Sequence, residues 1–202
     1  MEIIIVGAGG HTRSLINLLE LNKYEIIGIY DDSYNSFMKE TINEYEVKNS
    51  LKHLPPNYPV VLAVGDCRKR ERLYGLYKRQ ILKDSLIHPK AHIEKRVHVG
   101  NSNQVFSMAI INCNVRIGEN NIINTGCIIE HECCIGSHNH ISIGSIIAGR
   151  VKIGNRCFIG AGVVVIDKQE ICDDVIIGAN AVVIENITLP GTYVGNPARR
   201  IG

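Results

Sequence analysis

The chain has 202 residues, enough for one or two domains, and its 45% hydrophobic and 21% charged residues exclude a disordered polymer. A net charge of +2, with the basic residues scattered, gives no argument for nucleic acid or a membrane surface as partner. No uninterrupted apolar run of about 18 residues occurs and the chain opens on a strand-like run, so neither a signal peptide nor a transmembrane segment is expected, and the protein is expected in the cytoplasm.

The first third reads as alternating strands and helices. Glu2 to Val6 is a predicted strand, Gly7-Ala8-Gly9-Gly10 a tight turn, and Thr12 to Leu21 a helix with Leu15, Leu18 and Leu19 inward. Ile26 to Tyr30 is a second strand ending on Asp31-Asp32, residues 33–57 are a polar stretch expected as loop with a short helix, and Pro59 to Val64 is a third strand. After Gly65-Asp66 a basic helix is expected from Arg68 to Leu82. Such alternation implies a small parallel sheet. A glycine turn between strand and helix suits phosphate, because backbone N–H groups and the helix N-terminus point outward there. Thr12 stands where the dinucleotide fingerprint needs glycine, so a mononucleotide or nucleotide-sugar fits better than NAD.

From Ile93 to Val183 every sixth residue is Ile or Val without a break. Six is no helical period, and a fixed short repeat means one unit stacked on itself. The pattern predicts a β-solenoid with three short strands per coil. Its height is roughly 25 Å, from about five coils at the usual strand spacing. Two residues before each aliphatic stand compact side chains such as Ala109, Cys127, Cys133, Ser145, Cys157 and Ala181. Gly100, Gly118, Gly136, Gly154, Gly160 and Gly178 follow an aliphatic, where a corner is expected to need φ > 0. The odd cysteine count of seven and the inward position of Cys127, Cys133 and Cys157 favour packing over disulfides or metal. Off-column Ile110, Ile122, Ile128 and Ile146 exceed what the interior needs, and apolar strips of this kind predict a closed ring of subunits.

Chemistry concentrates at Ile129-Glu130-His131-Glu132-Cys133, where a regular coil has no use for charge between its core residues. His131 falls near a corner beside an acid, the ordinary recipe for a general base, though adjacent strand residues point apart and the contact with Glu132 needs a bend. His138 and His140, two residues apart, share a face on a strand and with His131 raise a zinc reading. No third histidine stands at a matching height, and no metal is expected.

The hexapeptide repeat, Ile129-Glu130-His131-Glu132, His140-Ile141-Ser142-Ile143-Gly144 and Val194-Gly195-Asn196-Pro197-Ala198-Arg199 together resemble the bacterial sugar acetyltransferases. Gly7-Ala8-Gly9-Gly10-His11 with Asp31-Asp32 narrows the resemblance to the subfamily with an N-terminal Rossmann-like domain. It includes the UDP-4-amino-sugar N-acetyltransferases of bacillosamine synthesis, the perosamine N-acetyltransferases and the sialic acid O-acetyltransferase branch.

The resemblance implies α/β plus β-solenoid: a small Rossmann-like domain over 1–84, then a left-handed parallel β-helix over 85–202. It implies a homotrimer with acetyl-CoA between neighbouring solenoids, and direct attack of the acceptor on the thioester. By position, His131 is the implied general base and Glu132 its orienting partner. His140 and the Gly149 backbone would meet the thioester, and Ala161 and Gly178 would border the pantetheine arm. Asn124 resembles a polar active-site residue, while Gly10, His11, Asp31, Asp32, Gly65 and Asp66 would bind the nucleotide of the acceptor. The implied reaction is N-acetylation of a nucleotide-activated amino-sugar for surface glycans, the alternative being O-acetylation of sialic acid. His11 favours the first, and Gly-Asp at 65–66, where the bacillosamine enzymes have Gly-Asn, leaves the acceptor open.

Overall fold

The structure, a computed structural model, describes residues 1–33, 41–48 and 51–201. The N-terminal unit contains β1 (Glu2–Val6), α1 (Gly10–Leu21), β2 (Glu25–Tyr30), β3 (Thr41–Ile42), β4 (Tyr45–Lys48), β5 (Val60–Leu62) and α2 (Cys67–Leu76). Its sheet runs β3-β4-β2-β1-β5, with β1 parallel to β2 and β5. The unbroken apolar run of β1 follows from burial on both faces, as a central parallel strand requires. Ile3 and Ile5 pack toward Leu15, Leu18 and Leu19 of α1, while Ile4 and Val6 pack toward Leu73 and Ile81.

Two expectations for this unit change. The polar stretch holds a short antiparallel hairpin, β3–β4, and one 3-10 turn at Leu51–His53, while 34–40 and 49–50 lie outside the described residues. Tyr45 and Val47 alternate toward the core there, a strand period that the surrounding polar residues hid. The basic helix ends at Leu76 and not at Leu82. Past Gly75 the chain turns back so that Gln80 O accepts from Val60 N–H and Leu82 N–H donates to Val60 O, which sets Ile81 beside β5.

From Leu86 to Val183 the chain is a three-sided prism of short parallel strands that stack at a step of eighteen residues. The first face runs from His92–Ile93 to Val182–Val183, the second from His98–Val99 to Glu170–Ile171, and the third from Leu86–Ile87 to Val175–Ile177. In each pair the second residue points inward, and Ile111, Ile123, Ile129, Ile141, Ile147 and Ile159 are fully buried. The compact positions are buried with them, and burial pushes the thiols of Cys127 and Cys157 up to about 12 and that of Cys133 to about 11. Part of the inner column is polar. Asn103, Asn121 and Asn139 each accept the backbone N–H of the residue one coil on, at 2.9, 2.7 and 2.7 Å, so buried amides are satisfied by their own stack.

The corners follow a rule the sequence reading misplaced. Left-handed φ recurs at every sixth residue from Arg96 to Asn180, three places after each aliphatic, and only Gly126, Gly144 and Gly162 there are glycine. The glycines directly after the aliphatics have ordinary φ. They are needed because a Cβ would strike the coil above: one on Gly100 would lie 2.5 Å from Gly118 O, and one on Gly118 2.7 Å from Gly136 O.

The third face is covered by the N-terminal unit. Ile122, expected on an open strip, is fully buried against it together with Phe106 and Leu86. Arg70 of α2 pins the junction. Fully buried, it donates to Val64 O and Gly65 O on its own side and to Asn120 O, His138 O and Asn139 O of the solenoid. Outside this plug, Arg68 pairs with Asp174, and Glu71 with Arg156. On the first face Ile110 and Ile128 are half-buried and Ile146 exposed, stacked in register with Val164.

Candidate functional site

The candidate residues fall on two edges of the prism and on the sheet that caps its third face. His131, Glu132 and Gly149 lie on the edge between the first and second faces. Glu132 occupies the left-handed corner position, φ 61°, and this supplies the bend that lets neighbouring side chains meet. His131 Nδ1 lies 3.1 Å from Glu132 Oε2. A carboxylate only accepts, so Nδ1 carries a proton, and in the neutral imidazole Nε2 is then the acceptor. One coil up, Gly149 leaves a gap into which the ring leans: a Cβ there would lie 2.7 Å from His131 Cε1 and Nε2. The Gly149 N–H has no hydrogen-bond partner among the described residues.

Asn124, Ala161 and Gly178 lie on the other edge, between the third and first faces, with His140 beside them on the third face. The structure thus brings Asn124 to His140, with Nδ2 3.3 Å from the ring Nε2, and not to His131. His140 Nδ1 donates to Gly65 O at 3.2 Å, leaving Nε2 to accept from Asn124. Burial against Phe158 and the N-terminal unit pulls its pKa down to about 4, so it is a neutral acceptor near pH 7. His138 does not share a face with it. Its left-handed φ of 63° turns the ring to Asn120 and Tyr74. Among the described residues no three His, Cys, Asp or Glu side chains gather as a metal site would require.

His11 projects from the first turn of α1 toward the same place, its ring centroid 6.2 Å from that of His140. Gln104 fixes its tautomer: Nε2 of the glutamine donates to Leu62 O at 2.8 Å, so Oε1 receives His11 Nε2–H at 2.8 Å. Burial holds His11 below its usual pKa. The glycine turn is locked by contact, since a Cβ on Gly7 (φ +112°) would lie 2.7 Å from Ala63 O. Thr12, in place of the fingerprint glycine, donates its hydroxyl to Gly7 O at 2.9 Å.

Asp31 is occupied locally, accepting from Ala8 N–H at 2.8 Å and from Ser33. Burial alone would raise its pKa, but these bonds outweigh it and hold the carboxyl below the usual range. Asp32 accepts from Leu51 N–H, and Asp66 caps α2 through Lys69 N–H. Gly10 opens α1, whose N-terminus has no side-chain cap and no acidic residue in its first turn. A cavity of about 250 Å³ at this end of the sheet is lined by Gly7, Asp31, Asp32, Lys69 and Arg72. Another of about 640 Å³ lies at the junction, between Gly65, Asp66, Phe158 and Thr192. A groove of about 1060 Å³ runs along the second face and contains none of these residues. Gly100, Gly118, Gly136 and Gly154 line it.

Sequence reasoning missed Arg70 and Gln104. Arg70 sits in the run Arg68-Lys69-Arg70, indistinguishable there from a solvated face. Gln104 left a faint signal, a polar residue in an outward column that otherwise reads Leu86, Ile122, His140, Phe158.

Residues 2–76 match the family model of the PglD N-terminal domain, and residues 135–167 match the bacterial transferase hexapeptide (six repeats) model. Among curated proteins, none matches the chain significantly. Solved structures match along its whole length. A histidine-to-asparagine variant of perosamine N-acetyltransferase from Caulobacter crescentus, in complex with CoA and GDP-perosamine, is 28% identical with a TM-score of 0.91, covering 100% of this chain and 97% of that one. The acetyltransferase domain of PglB from Neisseria gonorrhoeae, in complex with acetyl coenzyme A, is 25% identical with a TM-score of 0.87, covering 99% and 98%. WeeI from Acinetobacter baumannii, at 24% identity, a TM-score of 0.88 and 100% of both chains, speaks for the fold alone. The fold is therefore the Rossmann-like unit followed by a left-handed parallel β-helix.

Proposed function

We propose that this chain, similar over its full length to hexapeptide-repeat sugar acetyltransferases, transfers the acetyl group of acetyl-CoA to the amino group of a nucleotide-activated amino-sugar, in the cytoplasm, for surface glycan synthesis. The observation that carries this reading is the full-length likeness to perosamine N-acetyltransferase in complex with CoA and GDP-perosamine. Residues 1–84 are assigned to the nucleotide and 85–202 to acetyl transfer.

The two-edge layout supports a trimer. His131 and Gly149 lie one full face away from Asn124, His140, Ala161 and Gly178, roughly 15 Å at an extended rise per residue. That face carries the bare stripe of Ile110, Ile128, Ile146 and Val164. Closing three such faces around an axis sets the His131 edge of one subunit against the His140 edge of the next.

The acceptor nucleotide takes the uncapped start of α1 and the cavity beside Asp31, Asp32, Lys69 and Arg72, where backbone N–H groups and two cations meet a diphosphate. The amine nitrogen attacks the acetyl carbonyl as His131 Nε2 takes its proton, with Glu132 holding the ring. The Gly149 N–H is free to meet the oxyanion. The C–S bond breaks to a thiolate, and the imidazolium returns the proton to sulfur. Neutral His140, its tautomer fixed by Gly65, holds Asn124 at the thioester.

The test is thiol release by the purified protein from acetyl-CoA against a panel of UDP-, GDP- and dTDP-amino-sugars. Turnover with at least one amino-sugar is expected. Acetylation of sialic acid hydroxyls with no amino-sugar turned over would overturn the reading.

A further inference from the structure

The gap at Gly149 has a second wall. Outward corner positions along the His131 edge recur every eighteen residues, through Cys113, His131, Gly149 and Asp167. Where Gly149 lacks a side chain, the neighbours above and below lean together. The point a Cβ would occupy lies 2.7 Å from His131 Nε2 and 3.0 Å from Asp167 Oδ1. A small group seated against the glycine, slightly farther out than that point, is within reach of both. Asp167 is held in this pose by Arg150, whose Nη2 donates to Oδ1 at 3.0 Å and Oδ2 at 2.9 Å. Each carboxylate oxygen still has acceptor capacity. The slot therefore pairs a basic lone pair with a fixed carboxylate, and its floor is a glycine Cα.

From this juxtaposition we propose that Asp167 is a specificity-determining residue that receives the acceptor's ammonium in the slot over Gly149 and so selects amines over hydroxyls. The inference rests on the reading of His131 as base and adds what that reading lacks, a reason for N- over O-acetylation. A sugar amine arrives as R–NH3+. The carboxylate binds that cation by ion-pair attraction as well as a hydrogen bond, whereas a neutral hydroxyl at the same carbon offers it a hydrogen bond alone. One proton leaves to solvent, giving the free amine. The second passes to His131 Nε2 as the N–C bond forms, and from there to the departing thiolate. Arg150 is a positioning residue that orients the carboxylate.

The experiment measures binding, by calorimetry on the full-length protein, of a nucleotide-amino-sugar substrate and of the same nucleotide-sugar with hydroxyl in place of the amine. Asp167→Asn should weaken the amino-sugar by roughly ten- to a hundred-fold, the worth of a hydrogen bond to a charged group, and weaken the hydroxy analogue, which has no ion-pair attraction to lose, markedly less. Arg150→Gln should lower the preference for the amine by less than Asp167→Asn does, since the carboxylate remains but is no longer held in place. Equal loss of both ligands in Asp167→Asn, or no loss of either, overturns the proposal. Binding does not depend on turnover, so the outcomes separate. If His131→Ala keeps full kcat while Asp167→Asn still discriminates, the base assignment fails and the slot stands.

Discussion

Replacing Arg70 with methionine tests whether the two units are joined by a buried cation. The side chain is fully buried, and burial holds its pKa below the ordinary arginine value, with Cys67 and Asp66 offsetting it only in part. Two of its five carbonyl partners would keep another donor: Gly65 O retains His140 Nδ1–H, and Asn139 O retains Ile122 N–H. The carbonyls of Val64, Asn120 and His138 have no other donor among the described residues. Three orphaned carbonyls at about 1–3 kcal/mol each give about 3–9 kcal/mol, and relief of the guanidinium's own desolvation returns several. With that relief taken as about 3 kcal/mol, a net loss of up to about 6 kcal/mol remains, on the order of 10 °C in Tm for a chain of this size. Thermal unfolding by circular dichroism reads it, and Arg70→Lys should fall between, since an ammonium has fewer donors to share among five acceptors. A methionine variant melting within about 2 °C of wild type would refute the plug.

His131→Ala should lower kcat by about 10²–10⁴-fold with acetyl-CoA KM little changed, and Glu132→Ala should cost less; a His131 variant within a few-fold of wild type sinks that assignment. Stability should depend on pH through His140. Its pKa falls from 6.5 unfolded to about 4 folded, so the unfolded state binds the extra proton between those values. Stability is then full above pH 6.5, declines by up to about 3 kcal/mol toward pH 4 and levels below, with burial of His11 acting in the same direction. Urea unfolding across that window should show a flatter profile in His140→Gln, and an equal slope would count against it. Light scattering should give a trimer at micromolar concentration and a smaller species for Ile128→Glu, whose charge would enter the bare stripe; a wild-type monomer ends the argument for a shared site.

The solenoid was legible because its period is set by an interior that admits one aliphatic per side, so Ile93 through Val183 spell out the coil. The corner chemistry was less so. Sequence could place glycine after Ile117 or Ile135 but could not show that crowding by the next coil, and not φ, demands it. His131 stood out because charge is foreign to a core strand. Its relation to Glu132 awaited the left-handed corner, and Asp167 belonged to the same story only once eighteen residues were seen to span one step along an edge. Arg70 and Gln104 act across a junction between distant segments, and the register of that junction has no signature in either segment alone. The hairpin over Thr41–Lys48 was hidden because its strands are short and its outward residues charged.

The uniform step of the coil makes the molecule a ruler. An insertion or deletion of eighteen residues leaves every inward side chain inward, whereas one of six turns everything beyond it by a face. Yet the two outcomes are not equally harmless along the axis. The clasp on Asn120, His138 and Asn139 fixes the height of the N-terminal sheet, and His131, Asn124 and His140 are level with it. A whole coil added below Asn124 would displace the reacting groups from their docked partner by about 4.8 Å, a full step. The same coil added beyond Gly178 would lengthen the column and leave that alignment untouched. Variation in length is thus free at one end of this protein and forbidden at the other.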